Sequence, residues 1–244
     1  IQFLAENKAN KILNFSGGTH HGRQSFASGF CFLNDCVLAI LKAKELNFKN
    51  ILYIDIDAHH CDAVQDHFEN NDSVNLISLH EQNKWPRTGK VNESYIKNVM
   101  NIPVPQNFND NEMLFVVDKL ILPYAKNLNP DLVIVQAGTD CLEDDPQSNM
   151  SLSNFSYWQT ISKLKDISMK TLILGGGGYN PYITAKAWAG NWLVLNSKEK
   201  LLETNLTEEC QNLLKSLSWK NSRVRNGIPN RWLDKWLDSK NSSF

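Results

Sequence analysis

Tyr53-Ile-Asp-Ile-Asp-Ala-His-His60, followed by Cys61 and Asp62, is the stretch whose reading decides the fold. It begins as an apolar, β-branched run over residues 51–56, which predicts a buried strand. Charge then arrives together in Asp55, Asp57, His59, His60 and Asp62. Side chains alternate between the faces of a strand, so Asp55, Asp57 and His59 are expected on one face at its end. Two carboxylates and an imidazole converging there are costly to bury unpaired. A divalent cation removes that cost, and oxygen plus imidazole donors suit zinc or a similar first-row metal.

Working outward, apolar strand candidates at residues 12–15, 74–79, 101–104, 131–135 and 171–174 alternate with helical patterns. Helices are expected over residues 1–12, 34–46, 64–68, 111–124, 153–166 and 181–195, and the tail from Lys198 reads as helical and polar. Alternation of this kind implies an α/β fold: a single domain, a mainly parallel central sheet and helices on both faces. Residues 1–195 are expected to form the catalytic unit, and residues 196–244 a helical extension anchored on it by Trp219, Trp232 and Trp236. Core packing is expected for at least one of Phe30 and Phe32. A loop carrying Trp85 is expected over residues 82–92.

Chemistry-bearing segments follow the strands. Ser16-Gly-Gly-Thr-His-His-Gly22 presents His20 and His21 on a glycine-rich turn, Gln136-Ala-Gly-Thr-Asp140 ends in a carboxylate, and Gly175-Gly-Gly-Gly-Tyr179 ends in a phenol. Ligands bind outside the carboxyl ends of strands in open α/β sheets, so these loops can meet there. Asp57, His59 and Asp140 would then supply three ligands and leave open positions, as a catalytic metal site requires. His20 and His21 can carry protons, Asp55 and Asp62 can orient them, and Tyr179 can donate to a developing oxyanion. Such an assembly can hydrolyse an amide.

Bulk properties narrow the partners. The chain has 244 residues and a formal net charge of −1, which leaves no electrostatic footprint for nucleic acid. No apolar run approaches the roughly 20 residues of a membrane helix. Five scattered cysteines without a CxxC pair favour a reducing, cytoplasmic setting.

Together these segments resemble the zinc-dependent histone deacetylases, including the bacterial acetoin-utilisation deacetylases and acetylpolyamine amidohydrolases, on the arginase/deacetylase-like fold. The resemblance rests on Gly17-Gly-Thr-His-His21, Ser28-Gly-Phe-Cys-Phe-Leu-Asn34, Asp55-Ile-Asp-Ala-His-His60 with Asp62, Ser78-Leu-His80, Gln136-Ala-Gly-Thr-Asp140 with Asp145-Pro146, and Gly175-Gly-Gly-Gly-Tyr-Asn180. It implies Asp57, His59 and Asp140 as ligands of Zn2+, or of Fe2+ in its place. It implies His20 and His21 as general acid/base groups with Asp55 and Asp62 as partners, and Tyr179 on the acetyl oxygen. Gly29, Phe30, Trp85 and Gly177 fall at the substrate channel. A structural K+ is implied at Asp55, Asp57, His59, Ser78 and Leu79. The implied substrate is an acetylated protein or a small acylated amine.

Three positions depart from the family pattern. Cys61 and Ala63 stand where it has glycines, so strain is expected if either needs a positive φ. Arg87 is expected to alter the channel rim. The chain opens at Ile1 rather than Met, and the family has further residues before the first motif, so a missing N-terminal part is expected. The competing readings are an inactive fragment or acyl-amine binding module, an acetylpolyamine amidohydrolase, and a two-metal ureohydrolase.

Overall fold

The computed structural model describes residues 1–91, 97–225 and 227–238. Asn92, the last residue of the expected loop, lies outside them. Six strands form one sheet: β1 (Lys11–Asn14), β2 (Ile51–Asp55), β3 (Val74–Glu81), β4 (Val99–Val104), β5 (Leu132–Gln136) and β6 (Thr171–Leu174). Their order is β1-β6-β5-β2-β3-β4, and every pairing is parallel.

β2 is central and wholly buried, and its alternation divides the core. Leu52 and Ile54 join Val133, Val135 and Ile173 on one face, packed beneath α6 (Asn154–Leu164) and α7 (Pro181–Leu195). Ile51 and Tyr53 join Cys36, Val37 and Ile40 of α2 (Asp35–Glu45) and Val64 and Phe68 of α3 (Asp62–Phe68) on the other. Each fully buried aliphatic side chain there contributes about 1.5–3 kcal/mol.

The strand order reverses at β2. From β2 the chain moves outward through β3 and β4, then returns to lay β5 on the other side of β2. That is the topological switch point where α/β sheets open a crevice. Register places Asp55 beside both Ser78 and Gln136 at the carboxyl edge.

Several elements differ from the sequence expectation. The first helix, α1, spans only Gln2–Ala5, and β1 begins at Lys11. Pairing with β6 overrides local helical pattern there, and Lys11 Nζ donates to the Ser168 carbonyl at 2.6 Å. The helical run expected over 111–124 extends from α4 (Asp110–Val116) to α5 (Leu122–Leu128) through a π-helical turn, Val117–Ile121. Pro123 has no N–H for the α-helical ladder, and the wider turn absorbs that defect.

The tail is less helical than expected. It holds a 3₁₀ turn at Glu199–Glu203, α8 (Glu208–Ser216) and the single turn α9 (Asn230–Leu233). Its apolar residues Leu202, Leu206, Leu214, Trp232 and Leu233 enter the larger core. The strain expected at Cys61 and Ala63 is absent: Cys61 has φ −76° and Ala63 lies within α3, so neither needs a glycine backbone.

Candidate active site

The site is assembled at the switch point from loops that follow β1, β2, β5 and β6. β2 ends at Asp55, so Asp57 and His59 lie on the turn beyond it rather than on the strand. That turn closes on its own carboxylates: Asp57 N–H donates to Asp55 Oδ1 at 3.2 Å, and His59 N–H to Asp57 Oδ1 at 3.0 Å. The loop after β5 brings Asp140 across, where its Oδ1 accepts the Ala58 N–H at 2.9 Å.

Asp57, His59 and Asp140 can offer ligand atoms all within 4.8 Å of one another. His59 Nδ1 lies 3.1 Å from Asp57 Oδ1 and 3.0 Å from Asp140 Oδ2. Burial lowers the pKa of this imidazole, but its bonds to Asp140 and Asp57 win and push it up to about 11. Burial and the Asp57 charge push Asp140 up to about 7. The trio therefore carries excess negative charge that a bound proton relieves. A divalent cation fits the same donor set.

His20 and His21 flank the trio. His20 Nδ1 donates to Asp55 Oδ2 at 2.8 Å, and His21 Nδ1 donates to Asp62 Oδ1 at 2.8 Å. Burial disfavours charge on both rings. At His20 the Asp55 and Asp57 carboxylates overcome it and raise the pKa to about 9. At His21 burial and the neighbouring His20 charge prevail and lower it to about 4. Near neutrality His20 holds two protons and His21 one.

A cavity of about 170 Å³ is lined by His20, His21, Asp57, His59, Asp140, Gly177 and Tyr179. It opens outward into a space of about 400 Å³ bordered by Phe30, Trp85, Gln147 and Tyr179. Gly29 allows the wall to approach: a Cβ there would lie 2.5 Å from the His21 ring and 2.6 Å from Trp85, and its φ is +52°. Neither Phe30 nor Phe32 packs in the core; they are 82% and 84% exposed. Phe30 stands at the cavity mouth, 6.0 Å from the Tyr179 ring. Burial and the Asp140 and Asp57 charges raise the Tyr179 phenol pKa, so it keeps its proton.

Arg87 does not reach this mouth. It lines a separate depression with Gln82, Asn83 and Lys90, so the expected change to the rim is not found. The Cys61 thiol also lies away from the cavity, buried in the smaller core where burial pushes its pKa up. His80 bonds to Ser78 Oγ at 3.0 Å and to the Gly89 carbonyl at 3.0 Å.

Sequence reasoning missed four supports. Gln136 Nε2 donates to Asp57 Oδ2 at 2.9 Å, fixing the carboxylate from behind. Tyr53 donates its phenol to Asp55 Oδ2 at 2.6 Å. Arg23 pairs with both Asp62 and Asp66. Asp35 accepts the Gly18 and Thr19 N–H groups and so holds the histidine turn. A polar residue closing an apolar strand was the available signal for Gln136. For Tyr53 it was its place two residues before Asp55 on one strand face, whereas the Arg23 and Asp35 contacts join separate segments.

An α/β sheet with a buried Asp/His/Asp cluster at its switch point and two histidine–aspartate pairs beside it defines the class. The histone deacetylase domain pattern matches residues 1–195, and the chain belongs to that family. It is 34% identical over 191 residues to histone deacetylase 8 of Xenopus laevis, covering 76% of this chain and 58% of that protein. It is 35% identical over 182 residues to histone deacetylase B of Dictyostelium discoideum, covering 72% of this chain and 43% of that protein. The chain thus spans about half the length of the curated relatives it matches.

The crystal structure of a histone deacetylase homologue from Aquifex aeolicus superimposes with a TM-score of 0.85 at 34% identity, over 93% of this chain and 62% of that one. A homologue complexed with SAHA also gives 0.85, at 33% identity, over 95% of this chain and 63% of that one. No helix among the described residues is long and apolar enough to cross a membrane.

Proposed function

We propose that this chain carries the catalytic machinery of a metal-dependent deacetylase acting on acetyl-lysine or a related acylated amine. The observation that carries the proposal is the convergence of Asp57, His59 and Asp140 with His20, His21 and Tyr179 on one aromatic-mouthed cavity. Asp57, His59 and Asp140 would hold the cation, zinc first and Fe2+ as the alternative. When bound, it supplies Lewis-acid polarisation of the acyl oxygen and a lowered pKa for a water beside it.

The chain's own residues supply the rest. His21, neutral and with Nδ1 held by Asp62, leaves Nε2 to take a proton from the attacking water. His20, its Nδ1 fixed on Asp55, presents Nε2 toward the oxygen on which negative charge develops as the carbonyl is attacked. Tyr179 keeps its phenolic proton and donates it in a hydrogen bond to the same oxygen. The proton gathered on His21 then passes to the departing amine. Phe30 and Trp85 border the entry of an extended aliphatic side chain.

The proposal extends to K+ at Asp55, Asp57, His59, Ser78 and Leu79. The Ser78 hydroxyl is engaged with His80, and Asp55 Oδ2 takes bonds from Tyr53 and His20. Such an ion would therefore draw largely on backbone oxygens. A cytoplasmic setting is proposed with it, supported by five free cysteines. A two-metal ureohydrolase would need a further ligand cluster, and among the described residues one such group assembles.

Turnover of a fluorogenic acetyl-lysine peptide by the zinc-loaded chain tests the proposal, beside an acetylated polyamine. We expect peptide turnover that a chelator abolishes, and a loss of roughly 10²–10³-fold in kcat for Tyr179→Phe. Hydroxamate binding without any turnover would instead support an acyl-amine binding module.

A further inference from the structure

The geometry points to the C-terminal residues 217–225 and 227–238 as a brace that positions Tyr179 for the deacetylase reaction proposed above. The inference rests on that reading for its catalytic consequence. Its structural part stands on contacts made to the matched domain by residues beyond its end at 195.

Tyr179 follows Gly175–Gly178, four residues without side chains to hold the loop. Its ring must nevertheless be aimed, because a misplacement of about 1 Å can cost roughly 10²-fold in rate. Two neighbours fix its backbone. On one side the Tyr179 N–H donates to Asp145 Oδ2 at 2.7 Å. On the other, Asn180 caps α7 by accepting the Tyr182 N–H at 3.2 Å.

Both fixtures lead to the tail. Asp144, next to Asp145, has a left-handed backbone with φ 75°. Its carboxylate is held by Arg231 and by Trp232 Nε1 at 3.2 Å. Its carbonyl accepts from Asn180 Nδ2 at 3.3 Å, which ties the two fixtures together. Tyr182, the second residue of α7, donates its hydroxyl to the Leu217 carbonyl at 3.0 Å. Trp232 stacks on the Tyr182 ring at 5.7 Å and 24°, and Trp219 meets it edge-on at 6.3 Å.

The tail is itself pinned. Buried Lys186 of α7 donates to the Arg231 and Lys235 carbonyls at 3.1 and 3.2 Å, and Asn154 of α6 donates to the Trp236 carbonyl at 2.6 Å. Tyr179 is therefore linked through hydrogen bonds and ring stacking to the buried Lys186, Asn154 and Trp232. Arg231 and Trp232 are positioning residues: they reach the cavity through Asp144, Asp145 and Tyr182.

The test is the double variant Arg231→Met, Trp232→Phe in the full chain. It removes both donors from Asp144 while keeping the aliphatic stem and an aromatic ring on Tyr182. We expect kcat to fall roughly 10- to 100-fold with KM changed less than about twofold, since aim matters most in the transition state. Zinc stoichiometry should be unchanged, and hydrogen exchange at the Tyr179 amide should accelerate. Asp144→Asn keeps an acceptor for Trp232 and tolerates the left-handed backbone, so it should lose less. Arg231→Met alone provides the milder variant if the double one does not fold.

Unchanged kcat together with unchanged Tyr179 exchange would overturn the inference. So would an equal kcat loss in Ile121→Val matched for melting temperature, because stability alone would then explain it. If the wild-type chain shows no turnover, the deacetylase reading fails, and Tyr179 exchange still decides whether the tail positions that loop.

Discussion

His20 and His21 are chain neighbours, and each donates Nδ1–H to an aspartate at 2.8 Å, yet the first is drawn up to about 9 and the second down to about 4. Their own aspartates do not explain this, since both have one. His20 also faces Asp57 and Asp140, deep in the floor where negative charge is concentrated. At His21 burial and then the His20 charge outweigh the pull of Asp62 and Asp57, and its Asp62 is shared with Arg23. A histidine–aspartate pair thus sets tautomer and orientation, while the surrounding charges set which ring carries the extra proton. The floor holds charge, and the rim moves protons and admits substrate.

The floor should show the largest effect. Asp140→Ala removes one of three donors, and metal analysis should find most zinc lost. Activity should fall by more than the roughly 10²–10⁴-fold that one acid–base group contributes. Retained zinc would take Asp140 out of the site. Cation binding in the wild type must displace the proton that the trio holds on His59 and, below about 7, the one on Asp140. Zinc affinity should therefore weaken as pH falls, more steeply below about 7. Chelator competition across pH measures this.

The two histidines come next. His21→Ala should cost roughly 10²–10⁴-fold in kcat, and His20→Ala less, because only His21 is free to accept a proton. Equal losses, or the reverse order, would break the distinction between the pairs. Steady-state kinetics on both variants with zinc content checked provides the measurement.

Much of this was legible in the sequence because the fold's own logic concentrates it. An apolar run ending in Asp55, Asp57 and His59 marks both a central strand and its ligand edge, and β5 ending before Asp140 repeats the signal. The positions of Phe30 and Phe32 were not legible, since an aromatic in a loop has no periodicity to say whether it faces core or solvent. Nor was the short α1, where parallel pairing with β6 prevails over a helical pattern. Arg23 and the Asp144 clamp are contacts between segments far apart in the chain, and no local rule brings them together; Tyr53, two residues before Asp55 on the same strand face, was within reach of the strand's own alternation.

Trp85 tests the rim's role in admission. It stands edge-on to His21 at 4.6 Å and is 45% exposed, so it walls the entry without holding the floor. Trp85→Ala should raise KM roughly fivefold, about 1 kcal/mol, and leave kcat and zinc content nearly unchanged. A fall in kcat instead would mean that Trp85 orients His21.

The smallest expected effect isolates the electrostatics of the outer pair. Arg23 is partly exposed, so its pairing with Asp62 is worth no more than about 1 kcal/mol after solvent screening. Burial alone would raise Asp62; the His21 bond and Arg23 lower it below the ordinary carboxylate range. A lowered folded-state pKa gives stability that is present above the unfolded value and is lost as pH falls through the folded one. Arg23→Gln should therefore lower the melting temperature slightly near neutrality, with the deficit shrinking as the solution is acidified. With Arg23 gone, the Asp62 charge acts on His21 unshared, so the acid limb of the kcat/KM profile should move to higher pH. Melting curves and pH–rate profiles on the same two proteins read both shifts. An acid limb that stays in place while stability falls would make Arg23 a structural clasp for the loop, and the contrast between the two histidines would then owe nothing to it.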